Sequence, residues 1–333
     1  MKSFALSNPK SLAAASELLA AGPRDPRARK VLLLAGGQDL LTEMKEHLAE
    51  PTELVNLKSV PGLDRVEERA DGSLAVGALV TLAKLADHPA VRKGWALVAE
   101  AARSVASPQI RTFATVGGNL CQRPRCWYYR NEQAKCLKKG GSECFAYGGL
   151  NKYNAILGGG PSYIVHPSDL APALVAAGAS ATIFGPDGER TVPLERFFTL
   201  PAEGSVLKEN VLAPAEILTS VVLPPLPPGA ASTYLKFKER GSYDFALASV
   251  ALVIGREGGQ TKTARVVLGG VAPIPWRTPA AEAALAGREL DARALEAAAE
   301  EALADAEPLE HNAYKVPLAR GLIRRAGQAL ARA

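Results

Sequence analysis

The four cysteines of the chain are the residues best suited to chemistry, and they fall in one short stretch. Separated by four, nine and seven residues, they are the only cysteines among the 333 residues: Cys121, Cys126, Cys136 and Cys144. Two disulfides suit a small secreted domain, whereas a long chain without a secretion signal normally keeps its thiols reduced. The clustering therefore favours a metal held by thiolates.

Two kinds of metal site suit four thiolates. Tetrahedral zinc usually uses paired short C-x2-4-C knuckles, which are missing here, so the irregular spacing favours a [4Fe–4S] cluster over zinc. The same stretch is basic, with cations at Arg123, Arg125, Arg130, Lys135, Lys138 and Lys139. These cations would stabilise an anionic cluster, and a solvated loop is the alternative explanation of the basic run.

Two glycine turns form the second group of chemically informative residues. One is AGGQDL at residues 35–40, and the other is ATVGGN at residues 114–119, which ends just before the first cysteine. Glycines let backbone N–H groups approach a pyrophosphate closely, and neighbouring hydroxyl and amide side chains add hydrogen bonds. Each turn alone suits a plain chain reversal, and neither fits the Rossmann pattern G-x-G-x-x-G. As a pair, they indicate a cradle for a dinucleotide cofactor.

Two further sets of polar residues can be explained without a functional role. Ser168 and Asp169 stand at a predicted helix start, where capping alone accounts for them. A charged face on a sheet edge explains the later basic set just as simply, which comprises Lys236, Lys238 and Arg240.

Regular elements are predicted on both sides of the cysteine stretch. The Val/Leu run at residues 31–34 is typical of a buried strand, and a helix should follow its glycine turn. Further strands are predicted at 53–57, 66–69 and 74–76, and helices at 81–86 and 90–105. Residues 107–160 are irregular, and irregular segments of this length usually carry function.

The second half of the chain completes one unit and begins another. The first unit is predicted to continue with a strand at 162–165, a helix after Asp169 and a hairpin turning at 186–188. Four prolines in LPPLPPGA, at 223–230, then mark a domain boundary. Strands at 233–237, 246–254 and 264–268 follow, and then helices at 278–286, 291–305 and 316–331. We predict an α+β protein with domains at 1–225 and 230–333, and with the cysteine loop at about 120–160 in the first.

Composition excludes several classes of protein. A net charge of +5 is modest for this length and argues against a dedicated nucleic-acid binder. We expect no membrane span, because no segment approaches the ~18 uncharged apolar residues that one needs. The first twenty residues lack the layout of a secretory signal. The expected location is therefore the cytoplasm, with periplasmic export beside a signal-bearing partner as the alternative.

Three motifs resemble a known family. AGGQDLL, ATVGGNL and HPSDLAPAL, in this order and at these separations, resemble the FAD-binding medium subunit of molybdenum hydroxylases of the xanthine dehydrogenase family. Cysteines directly after GGNL are similar to those of the subgroup with an extra [4Fe–4S] cluster, the flavin subunit of periplasmic aldehyde oxidoreductases and the 4-hydroxybenzoyl-CoA reductase β subunit. The resemblance covers nearly the whole chain. It implies a two-subdomain FAD-binding fold, similar to that of vanillyl-alcohol oxidase, followed by a small antiparallel sheet with helices.

The resemblance also implies site residues. The FAD pyrophosphate would be wrapped by Ala35, Gly36, Gly37, Gln38, Asp39 and Leu40. The cradle would be completed by Thr115, Gly117, Gly118 and Asn119, and other cofactor contacts would come from Ser168, Asp169, Leu218 and Lys238. All four cysteines would ligate one [4Fe–4S] cluster. Gln38 departs from the family, which usually has a small hydroxyl residue there.

The function implied by the resemblance is electron transfer. A large molybdenum-cofactor subunit and a small [2Fe–2S] subunit would be the partners, and FAD would pass their electrons to an external acceptor. The substrate of the complex would be an aldehyde or an aromatic compound. Two alternatives are a stand-alone flavin oxidoreductase and a zinc-stapled binding module without a redox role.

Overall fold

A small parallel sheet carries the first glycine turn. The computed structural model describes residues 1–22, 30–241 and 243–332. The first sheet has the order β1 (Ala5–Ser7), β3 (Glu53–Asn56), β2 (Val31–Leu34). Helix α1 (Leu12–Ala20) begins where the Ser11 side chain accepts a hydrogen bond from Ala14 N–H at 3.2 Å. The predicted pattern of strand, turn and helix is confirmed, because β2 leads through Gly36 and Gly37 into α2 (Leu40–Lys45).

A five-stranded antiparallel sheet is built from strands that precede and follow the cysteine stretch in the sequence. Its order is β4 (Val66–Glu68), β5 (Leu74–Gly77), β8 (Ile217–Leu223), β6 (Ser180–Gly185), β7 (Gly188–Pro193). The β6–β7 hairpin turns where the Pro-Asp-Gly sequence predicts. Strand β8, which the sequence analysis missed, lies between β5 and β6 and so joins strands from either side of the cysteine stretch.

Helices α3 (Leu82–Asp87), α4 (Pro89–Gly94), α5 (Ala96–Ser104) and α9 (Leu170–Ala176) lie in the same domain as this sheet. The prediction of one helix over 90–105 was wrong, because Trp95 leaves helical geometry at φ −141°, ψ 61° and separates α4 from α5. The strand predicted at 162–165 was also wrong, because this stretch pairs with no described strand. Short helices α6 (Pro108–Arg111), α7 (Val116–Leu120) and α8 (Trp127–Arg130) lie within the irregular stretch.

The C-terminal unit is a four-stranded antiparallel sheet with helices on one face. The sheet order is β12 (Trp276–Arg277), β11 (Gln260–Gly269), β10 (Ala248–Glu257), β9 (Ala231–Phe237), and the helices are α10 (Pro279–Leu285), α11 (Ala292–Glu301) and α12 (Lys315–Ala331). The predicted antiparallel sheet with helices is confirmed. No helix in the described ranges is long and apolar enough to cross a membrane.

Strand β10 is buried on both faces. Val250, Leu252 and Ile254 pack in the core that contains the C-terminal helices. The alternate residues Ala251 and Val253 pack in the core of the first domain. A strand covered on both sides is a continuous apolar run rather than an alternating one. The two units are therefore packed against each other through this sheet.

Candidate functional site

Both glycine turns line one cleft of about 900 Å³. A volume of this size is near the upper end of the range of ~300–1,000 Å³ typical of small-molecule sites. Of the cofactor contacts predicted from the sequence, all but Ser168 and Lys238 line it. The structure therefore brings together two turns that lie far apart in the sequence.

Three positions of the two turns require glycine because of their contacts or their backbone conformation. A Cβ on Gly36 would overlap the carbonyl oxygen of Phe113. A Cβ on Gly117 would stand 2.9 Å from the Ala78 Cβ, and Gly37 has a φ of +74°, in the left-handed region that favours glycine. Gly36 and Gly117 therefore allow close approach to neighbouring backbone, and Gly37 allows the left-handed conformation of the first turn.

Gly118 has a different environment. Apart from its chain neighbours and the backbone of α7, the described residues place only the Thr115 hydroxyl, at 3.0 Å, within 4 Å of a Cβ built on Gly118. The same hydroxyl accepts a hydrogen bond from Gly118 N–H at 3.1 Å and so caps α7. Since Gly118 lines the cleft, the missing side chain leaves its backbone accessible to a ligand. This glycine-walled cleft is a suitable cradle for the pyrophosphate of FAD.

Ser168 lies behind the wall and supports it. Its hydroxyl donates to Asn119 Oδ1 at 2.5 Å and accepts from Ala171 N–H at 2.9 Å. Ser168 therefore caps α9, as the sequence indicates, and also fixes the side chain of Asn119, which lines the cleft.

Asp169 is held by the C-terminal unit. Its Oδ2 lies 2.7 Å from Lys236 Nζ, and its Oδ1 accepts a hydrogen bond from the Tyr234 hydroxyl at 3.0 Å. Burial raises the pKa of Asp169, and the charges of Lys236 and Lys238 oppose that rise. The capping explanation was wrong for Asp169, because its side chain makes no capping bond to α9 in the described part of the chain. Lys236 does lie on an edge strand, as predicted, but it is buried against Asp169 rather than part of a solvated charged face. The signal in the sequence is that Tyr234 and Lys236 share one face of β9.

The two remaining predicted FAD contacts are Leu218 and Lys238, and only Leu218 lines the cleft. Leu218 is buried and lines the cleft beside the turns. Lys238 lies outside the lining, although its charge reaches Asp169. The loop between β9 and β10 also lines the cleft, and the sequence analysis did not assign it a role there; its lining residues are Arg240, Tyr243, Asp244 and Phe245.

Asp39 connects the first glycine turn with the cysteine segment, defined here as residues 121–144. Its Oδ2 accepts a hydrogen bond from the backbone N–H of Arg123 at 2.6 Å. Its Oδ1 lies 2.8 Å from Arg130 Nη2 and 2.9 Å from Arg125 Nη1. The carboxylate lines the cleft but is engaged by arginines of the cysteine segment.

Other cations of the segment are also paired. Glu209 lies 2.8 Å from Arg123 Nε and 2.7 Å from Lys138 Nζ. Glu43, on α2, accepts a hydrogen bond from the Tyr129 hydroxyl at 2.8 Å. Protein carboxylates therefore pair four of the six cations of the basic run: Arg123, Arg125, Arg130 and Lys138. Of the other two, Lys135 is exposed, whereas burial lowers the pKa of Lys139, and the charges of the nearby Cys136 and Cys126 oppose that lowering. No local signal in the sequence identifies Glu209, because its partners lie far away in the chain.

The four cysteines are free thiols in the structure, with Cys136 buried and the others half-buried. Cys121 lines the cleft, where burial raises the pKa of its thiol to about 12. Burial raises the pKa of the Cys136 thiol, and the nearby Cys126 adds to that rise. Cys126 also accepts a 3.7 Å hydrogen bond from Asn154 Nδ2. The described ranges contain no group of three or more His, Cys, Asp or Glu residues positioned to hold a metal.

Two family profiles match the chain. The family described as the FAD binding domain in molybdopterin dehydrogenase matches residues 2–226. The family described as the CO dehydrogenase flavoprotein C-terminal domain matches residues 232–330.

Two known proteins are similar in sequence to this chain over most of its length. The aldehyde oxidoreductase FAD-binding subunit PaoB of Escherichia coli (strain K12) is 38% identical over 290 residues, covering 86% of this chain and 87% of that protein. The carbon monoxide dehydrogenase medium chain of Hydrogenophaga pseudoflava is 30% identical over 323 residues, covering 96% and 93%.

Solved structures agree with these similarities. Carbon monoxide dehydrogenase from Hydrogenophaga pseudoflava, in a form lacking the Mo-pyranopterin moiety, superposes with a TM-score of 0.77 at 28% identity, covering 99% of this chain and 97% of that chain. These similarities confirm the family predicted from the three motifs. The chain belongs to the family of FAD-binding medium subunits of molybdenum-dependent dehydrogenases.

Proposed function

We propose that this chain is the electron-transfer subunit of a heteromeric molybdenum hydroxylase and passes electrons from its partners to an external acceptor. The observation that carries the proposal is the shared cleft, in which the backbone of Gly118 and the side chain of Asn119 stand beside the turn at 35–40. FAD, when bound, supplies one-electron and two-electron chemistry. The backbone groups of the two turns would hold its pyrophosphate, and Asp169 would contact it from the cleft wall.

Three carboxylates of the cleft support a binding role rather than acid–base catalysis. Asp39, Asp169 and Glu209 are each paired with a cation of the protein. A general acid or base needs a group free to exchange a proton with its substrate. The protein's contribution is therefore to hold and orient the cofactor.

The proposed partners are a large molybdenum-cofactor subunit and a small [2Fe–2S] subunit, and the proposed substrate of the complex is an aldehyde or aromatic compound. The 38% identity to an aldehyde oxidoreductase FAD-binding subunit supports the aldehyde. Expression together with the neighbouring genes of its host should yield one complex containing molybdenum, iron and FAD. An isolated chain that oxidises an aldehyde without partners would contradict this assignment and favour a stand-alone flavin oxidoreductase.

The proposed second cofactor is a [4Fe–4S] cluster on Cys121, Cys126, Cys136 and Cys144. Its support is the confinement of every cysteine to one segment that begins two residues after Asn119. Iron and acid-labile sulfide analysis of the purified complex tests it, with Cys136→Ser expected to lose the cluster and keep some FAD. About one zinc per chain without sulfide, as in a structural tetrahedral site, would instead favour the zinc-stapled module.

An absorption spectrum of the purified chain tests the flavin directly. The expected spectrum contains flavin bands, and the bound flavin should be released on denaturation and identified as FAD. A colourless protein that takes up no added FAD would overturn the proposed function.

A further inference from the structure

Asp39 occupies an unusual position for an aspartate at the start of a helix. It precedes α2 directly, where an aspartate side chain commonly caps the first turn. Within the described residues, however, its side chain makes no capping bond to α2. Both carboxylate oxygens are used by the cysteine segment instead, through the backbone of Arg123 and the guanidinium groups of Arg125 and Arg130.

These contacts are sheltered from water. The side chain of Asp39 is 16% exposed and that of Arg130 is 12% exposed. Ion pairs in such surroundings are screened less than exposed pairs, and loss of one partner leaves the other charge uncompensated. The docking of the segment therefore depends on the carboxylate being correctly placed.

Arg130 extends the effect of Asp39 through the loop that contains Cys126. Its Nε donates to the Pro124 carbonyl at 2.7 Å, and its Nη2 donates to the Arg123 carbonyl at 3.2 Å as well as to Asp39. One arginine thus holds the backbone of 123–124 and the carboxylate together. The loop at 123–130 is fixed on Asp39 as a unit.

Asp39 also belongs to the first glycine turn, which lines the cleft. Gly36 and Gly37 stand immediately before Gln38 and Asp39, and all four residues line the cleft. A ligand that contacts the turn restricts its backbone and thereby restricts the position of the Asp39 carboxylate. Ordering at one site lowers the entropic cost of ordering at the other, and such coupling is reciprocal.

We propose that Asp39 is a positioning residue that couples FAD binding in the cleft to the order of the cysteine segment, so that each stabilises the other. The inference rests on the FAD-binding role of the cleft. It assigns the Asp39 carboxylate a function distinct from contact with the cofactor.

Hydrogen exchange of the full chain, with and without FAD, tests the coupling. In the wild type, FAD should slow exchange in peptides covering 122–131 by about tenfold, within the usual range of coupling between sites. In Asp39→Asn, FAD should leave exchange in these peptides nearly unchanged and should bind about tenfold more weakly, as reciprocity requires. Asp87→Asn is the control, because Asp87 pairs with Arg103 at 2.9 Å on the exposed surface.

A second variant removes the arginine partner of the Asp39–Arg130 contact. Arg130→Met should reproduce the loss of FAD-dependent protection, and the double variant should show little further loss, because both changes remove one linkage. If the wild type binds FAD but FAD does not slow exchange in 122–131, the coupling is wrong while the FAD-binding role stands. Persistence of the full FAD effect in a folded Asp39→Asn or Arg130→Met variant would also overturn it. Absence of FAD binding by the wild type would contradict the proposed function itself.

Discussion

The ammonium group of Lys236 lies 2.7 Å from Asp169 Oδ2, and each of these side chains is only 4% exposed. Asp169 precedes α9 in the first domain, and Lys236 lies on β9 of the C-terminal unit. The pair therefore joins the two units at the wall of the cleft, and Tyr234 adds a hydrogen bond to the same carboxylate.

Removal of Lys236 should destabilise the protein strongly. Lys236→Met leaves the Asp169 carboxylate buried without its cation, which typically costs about 3–5 kcal/mol of unfolding free energy. The double variant with Asp169→Asn should recover part of this loss. Urea unfolding measures both. Lys262→Met, at an exposed pair with Glu257, should change the free energy by less than about 1 kcal/mol, and an equal effect of the two lysine variants would refute the buried-pair explanation.

Gly118→Val should remove FAD while leaving the chain folded. The added side chain meets the Thr115 hydroxyl and otherwise occupies the ligand side of the cleft wall. We expect affinity for FAD to fall by more than about tenfold, or about 1.4 kcal/mol. The flavin-to-protein ratio and a thermal melt measure the two effects. The control is Gly321→Val in α12, where no described atom outside its chain neighbours and the backbone of that helix lies within 4 Å of the added Cβ. Full flavin occupancy in folded Gly118→Val would exclude this site.

Gly36→Ala should lower the stability of the protein and also weaken FAD binding in the cleft. Its Cβ would overlap the backbone carbonyl of Phe113, and backbone cannot move aside as a flexible side chain can. The expected cost is about 1–3 kcal/mol, typical of overpacking, and FAD binding should weaken because the turn shifts. Gly148→Ala is a suitable comparison, since no described atom beyond its chain neighbours lies within 4 Å of its Cβ. Equal urea midpoints for the two variants would contradict this packing argument.

Lys315 should make stability depend on pH. Its Nζ donates to the carbonyls of Tyr153, Asn154 and Gly270 at 2.9, 2.9 and 2.7 Å, and burial lowers its pKa to about 7. The unfolded chain has a lysine pKa of about 10.4. Between these values the unfolded state binds the proton that the folded state has released, so stability rises with pH.

The measurement compares the wild type with Lys315→Met from pH 6 to pH 10 by urea unfolding. The wild type should gain at least about 1.4 kcal/mol relative to the variant between pH 7 and pH 10, the free energy of one pKa unit. Below about pH 6 the difference should level off, because both states then carry the proton. A difference that falls as pH rises above 7 would show that the pKa of Lys315 is raised instead.

Local chemistry in the sequence determined the elements that carry the cradle. The apolar run at 31–34, the glycine pair after it and the helical spacing beyond it all act within one short stretch, so the predicted order of strand, turn and helix is present. The Pro-Asp-Gly hairpin was predicted for the same reason. The strands and helices of the C-terminal unit also follow from local periodicity, whereas their antiparallel arrangement was implied by the family resemblance. The motif order was enough to identify the family.

Only the tertiary structure decided which partners these residues have. Asp169 meets Lys236 across 67 residues, and Asp39 meets Arg130 across 91. Strand β8 lies between β5 and β6, a position that its own sequence does not specify. The sequence grouped four cysteines, whereas the fold places Cys121 in the cleft wall. Periodicity and turn residues reflect interactions between near neighbours, but contacts between distant residues depend on the path of the whole chain.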